Sequence, residues 1–138
     1  MALALTFSRD NHGAWATASG RLTGNEVLGA IKEVNARHAT TPVLYTFFDF
    51  DAVTEIDLVT EKLRRAADTA IDASRMASVP RVVAICAASD LSFGLARMYM
   101  ALIEETGWET AVFRARPEAL MWLRRRVAAK FGIEIELA

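Results

Sequence analysis

Residues 43–50 read VLYTFFDF, and this stretch decides the fold class. It is almost wholly apolar and rich in aromatic and β-branched side chains, as strands buried on both faces of a parallel sheet usually are. Arg81–Ala88 (RVVAICAA) has the same composition, and Thr110–Arg114 (TAVFR) repeats it more briefly. The three stretches predict neighbouring parallel strands of one sheet.

Helical patterns separate these predicted strands. Apolar residues recur at helical spacing in two stretches, with Val59, Leu63, Ala66, Ala67, Ala70 and Ile71 in the first and Leu91, Leu95, Met98, Leu102 and Ile103 in the second. Gly107 is placed to end the second helix. A last helix is predicted to begin near Pro117, whose missing N–H costs nothing in a first turn, and to bury Leu120, Leu123 and Val127. Strands that alternate with helices predict right-handed βαβ units of an α/β fold.

The N-terminal part predicts a hairpin followed by a helix. Ala2–Phe7 and Ala14–Gly20 are short β-like runs separated by turn-forming residues, so they should pair as antiparallel strands. Thr23 and Glu26 have the spacing of a capping box, and the helix that they open should run to about His38. The predicted order is therefore β-β-α-β-α-β-α-β-α, in one mixed sheet with about four helices.

The bulk composition is that of a compact single domain, which we assign to residues 1–138. The chain is long enough to bury its own core, and 53% hydrophobic against 24% charged residues argues against disorder. A net charge of −1 gives no global attraction for nucleic acid. The N-terminus lacks the basic segment of a signal peptide, and Cys86, the only cysteine, excludes an internal disulfide. We expect a cytoplasmic protein. The C-terminal IEIELA is interpreted either as a weak edge strand or as a frayed end.

Four motifs that span most of the chain point to a known family. The most specific is SDLSFGLARMY (Ser89–Tyr99), and the others are GRLT (Gly20–Thr23), LYTFFDFDAV (Leu44–Val53) and VFR…EALMWL (Val112–Leu123). In these motifs the chain resembles the bacterial SpoIIAA-like family, small relatives of the STAS and CRAL-TRIO domains. The resemblance implies a STAS-like fold and a binding or regulatory role.

One feature of STAS domains is not expected here. In anti-anti-sigma STAS domains, a serine that follows an aspartate at the start of a helix is phosphorylated. The aspartate resembles Asp57, and the serine position then falls on Leu58 or Val59, neither of which can accept phosphate. Thr60 lies one residue further on and would be a poor substitute. We therefore predict that this phosphoserine switch is missing.

Asp49 and Asp51 suggest an alternative, enzymatic function. The pattern D-x-D-x-[VT] occurs in the nucleophile loop of haloacid-dehalogenase-type phosphotransferases, where two aspartates share Mg²⁺. Such a site also needs a lysine from a later strand, and after the Arg81–Ala88 stretch the only lysine is Lys130, in the last helix. We expect Asp49 and Asp51 to lie in a loop at the strand end, with Asp57 or Thr54 capping the next helix. A Mg²⁺-dependent phosphotransferase or hydrolase remains the alternative to a protein without catalysis, metal or cofactor.

The carboxyl ends of the predicted parallel strands are the expected place for a ligand. The polar residues at those ends are Asp49, Asp51, Ser89, Asp90, Ser92, Arg114 and Arg116. Ser89, Asp90 and Ser92 also lie at a helix N-terminus, where one of them either caps the helix or helps to hold an anion. A second candidate surface consists of Phe93, Arg97 and Met100, which share one face of that helix and could contact a partner or an apolar ligand.

Charge is unevenly distributed along the chain. Asp49–Glu61 contains five acidic residues and no basic residue. The six basic residues between positions 114 and 130 are Arg114, Arg116, Arg124, Arg125, Arg126 and Lys130. They form either a solvated helix end or a surface for anionic lipid headgroups or for head-to-tail association. Our leading hypothesis is a non-enzymatic module that binds a protein partner or a small apolar, lipid-like ligand, with a homodimer left open.

Overall fold

The computed structural model describes residues 3–58, 60–76 and 79–135. Within these ranges, strands and helices follow the predicted order. The elements are β1 (Leu3–Phe7), β2 (Gly13–Thr23), α1 (Gly24–His38), β3 (Tyr45–Asp57), α2 (Thr60–Met76), β4 (Val82–Cys86), α3 (Asp90–Leu102), a 3₁₀ turn (Glu104–Thr106), β5 (Glu109–Phe113) and α4 (Arg116–Phe131).

The five strands form one sheet in the order β1-β2-β3-β4-β5. Strands β1 and β2 are antiparallel, and the pairs β2–β3, β3–β4 and β4–β5 are parallel. The predicted hairpin, the parallel βαβ units and the mixed α/β sheet are therefore confirmed. Among the described helices, none combines the length and the apolar content needed to cross a bilayer.

The sheet separates two hydrophobic cores. Tyr45 and Phe47 of β3 pack with Leu123 and Val127 of α4, on what we call the α4 face. Phe48 points the other way and packs with residues of α1, α2 and α3, on what we call the three-helix face. Because successive side chains of a strand alternate between faces, β3 contributes large aromatic residues to both cores.

Helix α1 begins as predicted. The Thr23 hydroxyl accepts a hydrogen bond from the Glu26 N–H (3.3 Å), and the Glu26 carboxylate accepts one from the Thr23 N–H (3.2 Å). This capping box satisfies N–H groups that the helix itself leaves free. At the other end, His38 Nδ1 accepts a hydrogen bond from the Val43 N–H (2.9 Å), which ties the end of α1 to the chain entering β3.

Strands β2 and β3 continue well beyond their predicted ends. Their parallel pairing runs on from Ser19↔Ala52 to Thr23↔Asp57, with register shifts near Thr17 and Gly20. We call residues 19–23 and 52–57 the β2–β3 arm. The placement of Asp49 and Asp51 in a loop was wrong, because both lie within β3, and so was the helix-capping role of Asp57 or Thr54. The hydrophobic pattern predicted that β3 ends where the apolar run stops, but the backbone pairing of β3 with β2 continues through polar residues.

Helix α3 buries the predicted face only in part. Ile103 is buried and Leu95 and Leu102 pack against the core as predicted, but Leu91 and Met98 are 60% and 44% exposed. Ser92, Ala96 and Tyr99, which lay outside the predicted stripe, are buried instead. Gly107, predicted to end this helix, instead follows the 3₁₀ turn with a positive φ of 72°.

Helix α4 and the residues after it cover the α4 face. Pro117 lies in the first turn as predicted, and Leu123 and Val127 are fully buried. Gly132 ends the helix in the left-handed conformation (φ 67°). The interpretation of the tail as an edge strand was wrong for residues 132–135, which have no regular structure, although Ile135 is buried in the α4-face core. Residues 136–138 lie outside the described ranges.

Candidate functional site

Asp49 lies at the centre of a polar cluster at the carboxyl end of the sheet, on the α4 face. Its side chain is almost fully buried. Arg116, from the first turn of α4, donates a hydrogen bond to Asp49 Oδ2 (3.1 Å), and the Asp51 N–H donates one to Asp49 Oδ1 (3.0 Å). The Cys86 thiol, at the end of β4, donates to Asp51 Oδ1 (3.0 Å). We call these four residues the Asp49 cluster.

The Asp49 cluster contains three groups that could contact a cation. Ligand atoms of Asp49, Asp51 and Cys86 lie within 4.8 Å of one another. Burial first, and then the hydrogen bond to Asp51, raise the pKa of the Cys86 thiol to about 12, so without a cation beside it the thiol is neutral. Arg116 already supplies a positive charge to Asp49. Asp49 and Arg116 therefore form an ion pair in which the carboxylate is buried and the guanidinium is half exposed, with the neutral Cys86 thiol beside it.

The other polar residues at the strand ends do not join this cluster. Ser89 caps α3 by accepting a hydrogen bond from the Ser92 N–H (3.1 Å). Of the two roles that the sequence allowed, helix capping and anion binding, this contact is the first. Asp90 is exposed and pairs with Arg114 (2.6 Å). Ser92 is buried on the three-helix face, so the sheet separates it from Asp49. The predicted ligand-binding residues are thus divided among three places.

Phe93, Arg97 and Met100 line an open groove beside β5, together with Thr110, Ala111 and Val112. Strand β5 is an edge strand of the sheet, so one side of its backbone is not paired with another strand. Arg114 stacks on Phe93, with the guanidinium carbon 4.3 Å from the ring centroid. The predicted grouping of the three residues on one helix face is confirmed, and their contact with a partner stays a prediction.

The basic residues near the C-terminus are partly neutralised within the fold. Arg126 and Lys130 both pair with Glu109 at the start of β5. Burial, the largest single effect, raises the pKa of Glu109, but the hydrogen bonds and positive charges of Arg126 and Lys130 together outweigh it, and the pKa is lowered. Arg124 pairs with Glu134 (3.5 Å). Among the described residues, only Arg125 of this group lies without an acidic partner, which leaves little free charge for a lipid surface.

The sequence did not predict an apolar pocket that opens at the carboxyl end of the sheet, on the three-helix face. We call it the apolar pocket. The residues that shape its mouth and walls include Leu22, Phe50, Ile56, Leu58, Leu95 and Tyr99. Ser92 and Tyr99 carry the only hydroxyl groups among the described lining residues, and the other side chains are apolar.

The apolar pocket is narrow. It has about 470 Å³ of empty space when its open mouth is counted, but the centre of a water-sized sphere can occupy only about 40 Å³ of it. Pockets for drug-sized ligands measure roughly 300–1,000 Å³. The space is therefore much smaller than such pockets, and a slender chain would enter it only if the wall side chains moved apart. It could not be predicted because its walls come from β2, β3 and all three helices of this face, which meet only in the folded protein.

A solved structure of similar fold supports the architecture. The chain matches the crystal structure of an uncharacterised protein of the DUF3478 family, with a SpoIIAA-like fold, from Shewanella loihica PV-4. The two are 19% identical, the match covers 88% of this chain and 92% of that one, and the TM-score is 0.55. The likeness confirms the SpoIIAA-like fold. No protein-family model matches the chain, and no curated protein matches it.

Proposed function

We propose that this protein is a non-catalytic binding module that takes a small, slender apolar ligand into the apolar pocket. The observation that carries the proposal is a cleft with almost purely apolar walls at the carboxyl end of the sheet. Open α/β sheets bind ligands at this end. The pocket is bordered on one side by the β2–β3 arm, which contributes Ile56, and on the other by α3, which contributes Leu95.

The absence of catalysis is part of the proposal, and the geometry of the Asp49 cluster supports it. In the enzymatic alternative, Asp49 would be a free nucleophile beside Mg²⁺. Instead its carboxylate is buried and accepts hydrogen bonds from Arg116 and from the Asp51 N–H. Lys130, the only lysine that follows β4 in the chain, pairs with Glu109 at the opposite end of β5. Among residues 3–58, 60–76 and 79–135, no lysine pairs with Asp49, which supports a role without phosphoryl transfer.

The test is to fill the apolar pocket with a side chain. Leu95→Trp adds bulk to the wall, and Leu91→Trp is a matched control because Leu91 is exposed and does not line the pocket. Isothermal titration calorimetry with octanol, octanoate and octylamine measures binding to the three proteins. We expect binding of at least one ligand to the wild type and to Leu91→Trp, and affinity about tenfold lower or worse in Leu95→Trp, a loss of about 1.4 kcal/mol.

Two results would contradict the proposal. One is that none of the three ligands binds the wild-type protein up to its solubility limit. The other is that Leu95→Trp binds them as well as Leu91→Trp does, which would locate binding elsewhere. Unfolding curves of both variants show whether the substitution has left the fold intact.

A second candidate function, binding of a protein partner, is favoured by the groove along β5. An extended peptide could add a strand to the free edge of β5. Among the described residues, Arg97 has no acidic partner, so a peptide with alternating valine and glutamate fits better than a second copy, which would bring a second Arg97 close by. A Val-Glu peptide should bind more tightly than a Val-Lys peptide, and Arg97→Glu should reverse the preference. Equal binding of both peptides would argue against this surface.

A further inference from the structure

Arg81 is a buried cation without a carboxylate partner among the described residues. Arg81 is 3% exposed and lies immediately before β4, on the three-helix face. Its Nε donates a hydrogen bond to the Val43 carbonyl (3.1 Å), and its guanidinium carbon lies 4.1 Å from the centroid of the Trp108 ring. Burial lowers the pKa of Arg81 to about 10, so the guanidinium stays charged at neutral pH. A buried charge usually has a partner of opposite charge.

The unused part of Arg81 faces a small polar cavity. Arg81 Nη2 is buried and has no hydrogen-bond partner, and the same is true of Thr46 Oγ1 and Asn35 Oδ1. All three residues line one cavity, in which the centre of a water-sized sphere can occupy about 10 Å³. Buried polar atoms without partners are rare because each forgoes the hydrogen bonds that water would provide. Three of them around one cavity indicate that a polar group belongs there.

The polar cavity adjoins the apolar pocket. Ile31, Phe48 and Tyr99 line both spaces, so these three side chains form the wall between them. A shift of the Phe48 or Tyr99 ring would join the two spaces into one channel. The channel would have apolar walls at its open end and the Arg81 guanidinium at its closed end. A molecule that is apolar along its length and anionic at one end matches this distribution.

We propose that Arg81 binds the carboxylate of an alkyl carboxylic acid whose chain lies in the apolar pocket. The inference rests on the proposed function and narrows its ligand to an acid. A carboxylate is the smallest common organic anion that pairs well with a guanidinium, and Thr46 can donate its hydroxyl hydrogen to it. As it stands the cavity has room for about one water molecule, so the carboxylate would take the place of that water, and the shift of the Phe48 or Tyr99 ring would provide the additional space. Phosphate and sulfate are bulkier and suit so small a cavity less well.

The experiment compares octanoate with octanol, octylamine and acetate by isothermal titration calorimetry. Wild-type protein should bind octanoate about tenfold more tightly than octanol and bind octylamine and acetate more weakly than either. Arg81→Met, which keeps the length of the side chain but removes its charge, should bind octanoate no better than octanol. Thr46→Val, which is close in shape, should show a smaller loss for octanoate.

Each outcome decides the inference. Equal wild-type affinities for octanoate and octanol overturn it while the proposed function stands. Acetate that binds as tightly as octanoate also overturns it, because the chain then adds nothing. If no apolar compound binds, the proposed function fails together with the inference. Should Arg81→Met not fold, the carboxyl signal of [1-¹³C]octanoate in wild-type protein decides: the carboxyl pKa falls on binding if it lies beside Arg81, and an unchanged pKa counts against the proposal.

Discussion

On the α4 face, the buried carboxylate of Asp49 accepts hydrogen bonds from Arg116 and from the Asp51 N–H, so its charge is compensated within the chain. On the three-helix face, the buried guanidinium of Arg81 has a carbonyl and an aromatic ring beside it but no carboxylate among the described residues. On the first face Phe47 is buried among the residues of the α4-face core, whereas the second face contains the apolar pocket and the polar cavity.

This difference separates a structural polar cluster from a candidate binding site. Asp49, Asp51 and Cys86 form the group that attracts attention in the sequence, yet their hydrogen bonds are satisfied by one another and by Arg116. Arg81 is inconspicuous in the sequence, yet it retains an unused donor beside empty space. A charge with an unused hydrogen-bonding group is the better indicator of a ligand, because a bound molecule can lower the free energy of the folded state there.

The largest effect is expected from truncating the aromatic core on the well-packed face. Phe47→Ala should lower the free energy of unfolding by about 3–5 kcal/mol, since it leaves a cavity among close neighbours. Its neighbour Phe48 borders both spaces of the three-helix face. Phe48→Ala should therefore lower the free energy of unfolding by about 1–2 kcal/mol less than Phe47→Ala does. Urea unfolding of both variants measures the difference, and equal losses would show that the two faces are packed alike.

A smaller effect should distinguish the two buried charges. Arg116→Met leaves Asp49 buried without its cation and should lower the free energy of unfolding by about 1–2 kcal/mol, a value reduced because Arg116 is half exposed. Arg81→Met leaves no unpaired acid and should change the free energy of unfolding by less than about 1 kcal/mol. Arg125→Met, at an exposed residue without an ion pair, is the control. If Arg81→Met lowers the free energy of unfolding as much as Arg116→Met does, the charge of Arg81 is compensated by other groups of the chain.

The smallest effect concerns His38. Burial first, and then the positive charge of Arg81, lower the pKa of His38 in the folded protein. The unfolded chain therefore binds a proton more readily, and the stability that neutral His38 contributes is lost as the pH falls from above 6.5 through the lowered pKa. We expect the melting temperature to fall about 1–2 °C more in the wild type than in His38→Gln between pH 7.5 and 5.5, after allowance for solvent screening.

An octanoate-bound sample adds a further comparison. A carboxylate beside Arg81 would offset the positive charge that acts on His38, so octanoate should reduce the difference between the wild type and His38→Gln. If the melting temperature depends on pH in the same way in His38→Gln and in the wild type, His38 does not cause this pH dependence.

The order of elements could be predicted because it depends on local composition. The apolar stretch before Asp49 and its two repeats identify buried strands, and the Thr23–Glu26 capping box is formed by residues only three positions apart. The end of β3 could not be predicted in this way. Its last residues are mostly exposed and polar, and they are held by pairing with β2, more than thirty positions away in the chain.

The face that α3 buries also depended on the tertiary structure. Hydrophobicity alone favoured Leu91 and Met98, but the way the helix packs against the core leaves these two exposed and buries Ser92 and Ala96 instead. The same reason explains why Arg81 was missed. Before folding it is a polar residue at the start of an apolar strand, and only the approach of Trp108 and Val43 encloses it.

The sequence by itself determined the α/β class, the order of strands and helices, the start of α1 and the resemblance to a SpoIIAA-like fold, because each rests on residues that are close together in the chain. Only the tertiary structure decided which polar groups found partners and which did not. Asp49 and Arg116 form a pair although they are 67 positions apart in the chain. Arg81 lies within the same separation of many carboxylates and pairs with none of those described. Pairing at such separations follows from how the elements pack, and packing also creates the empty space beside Arg81.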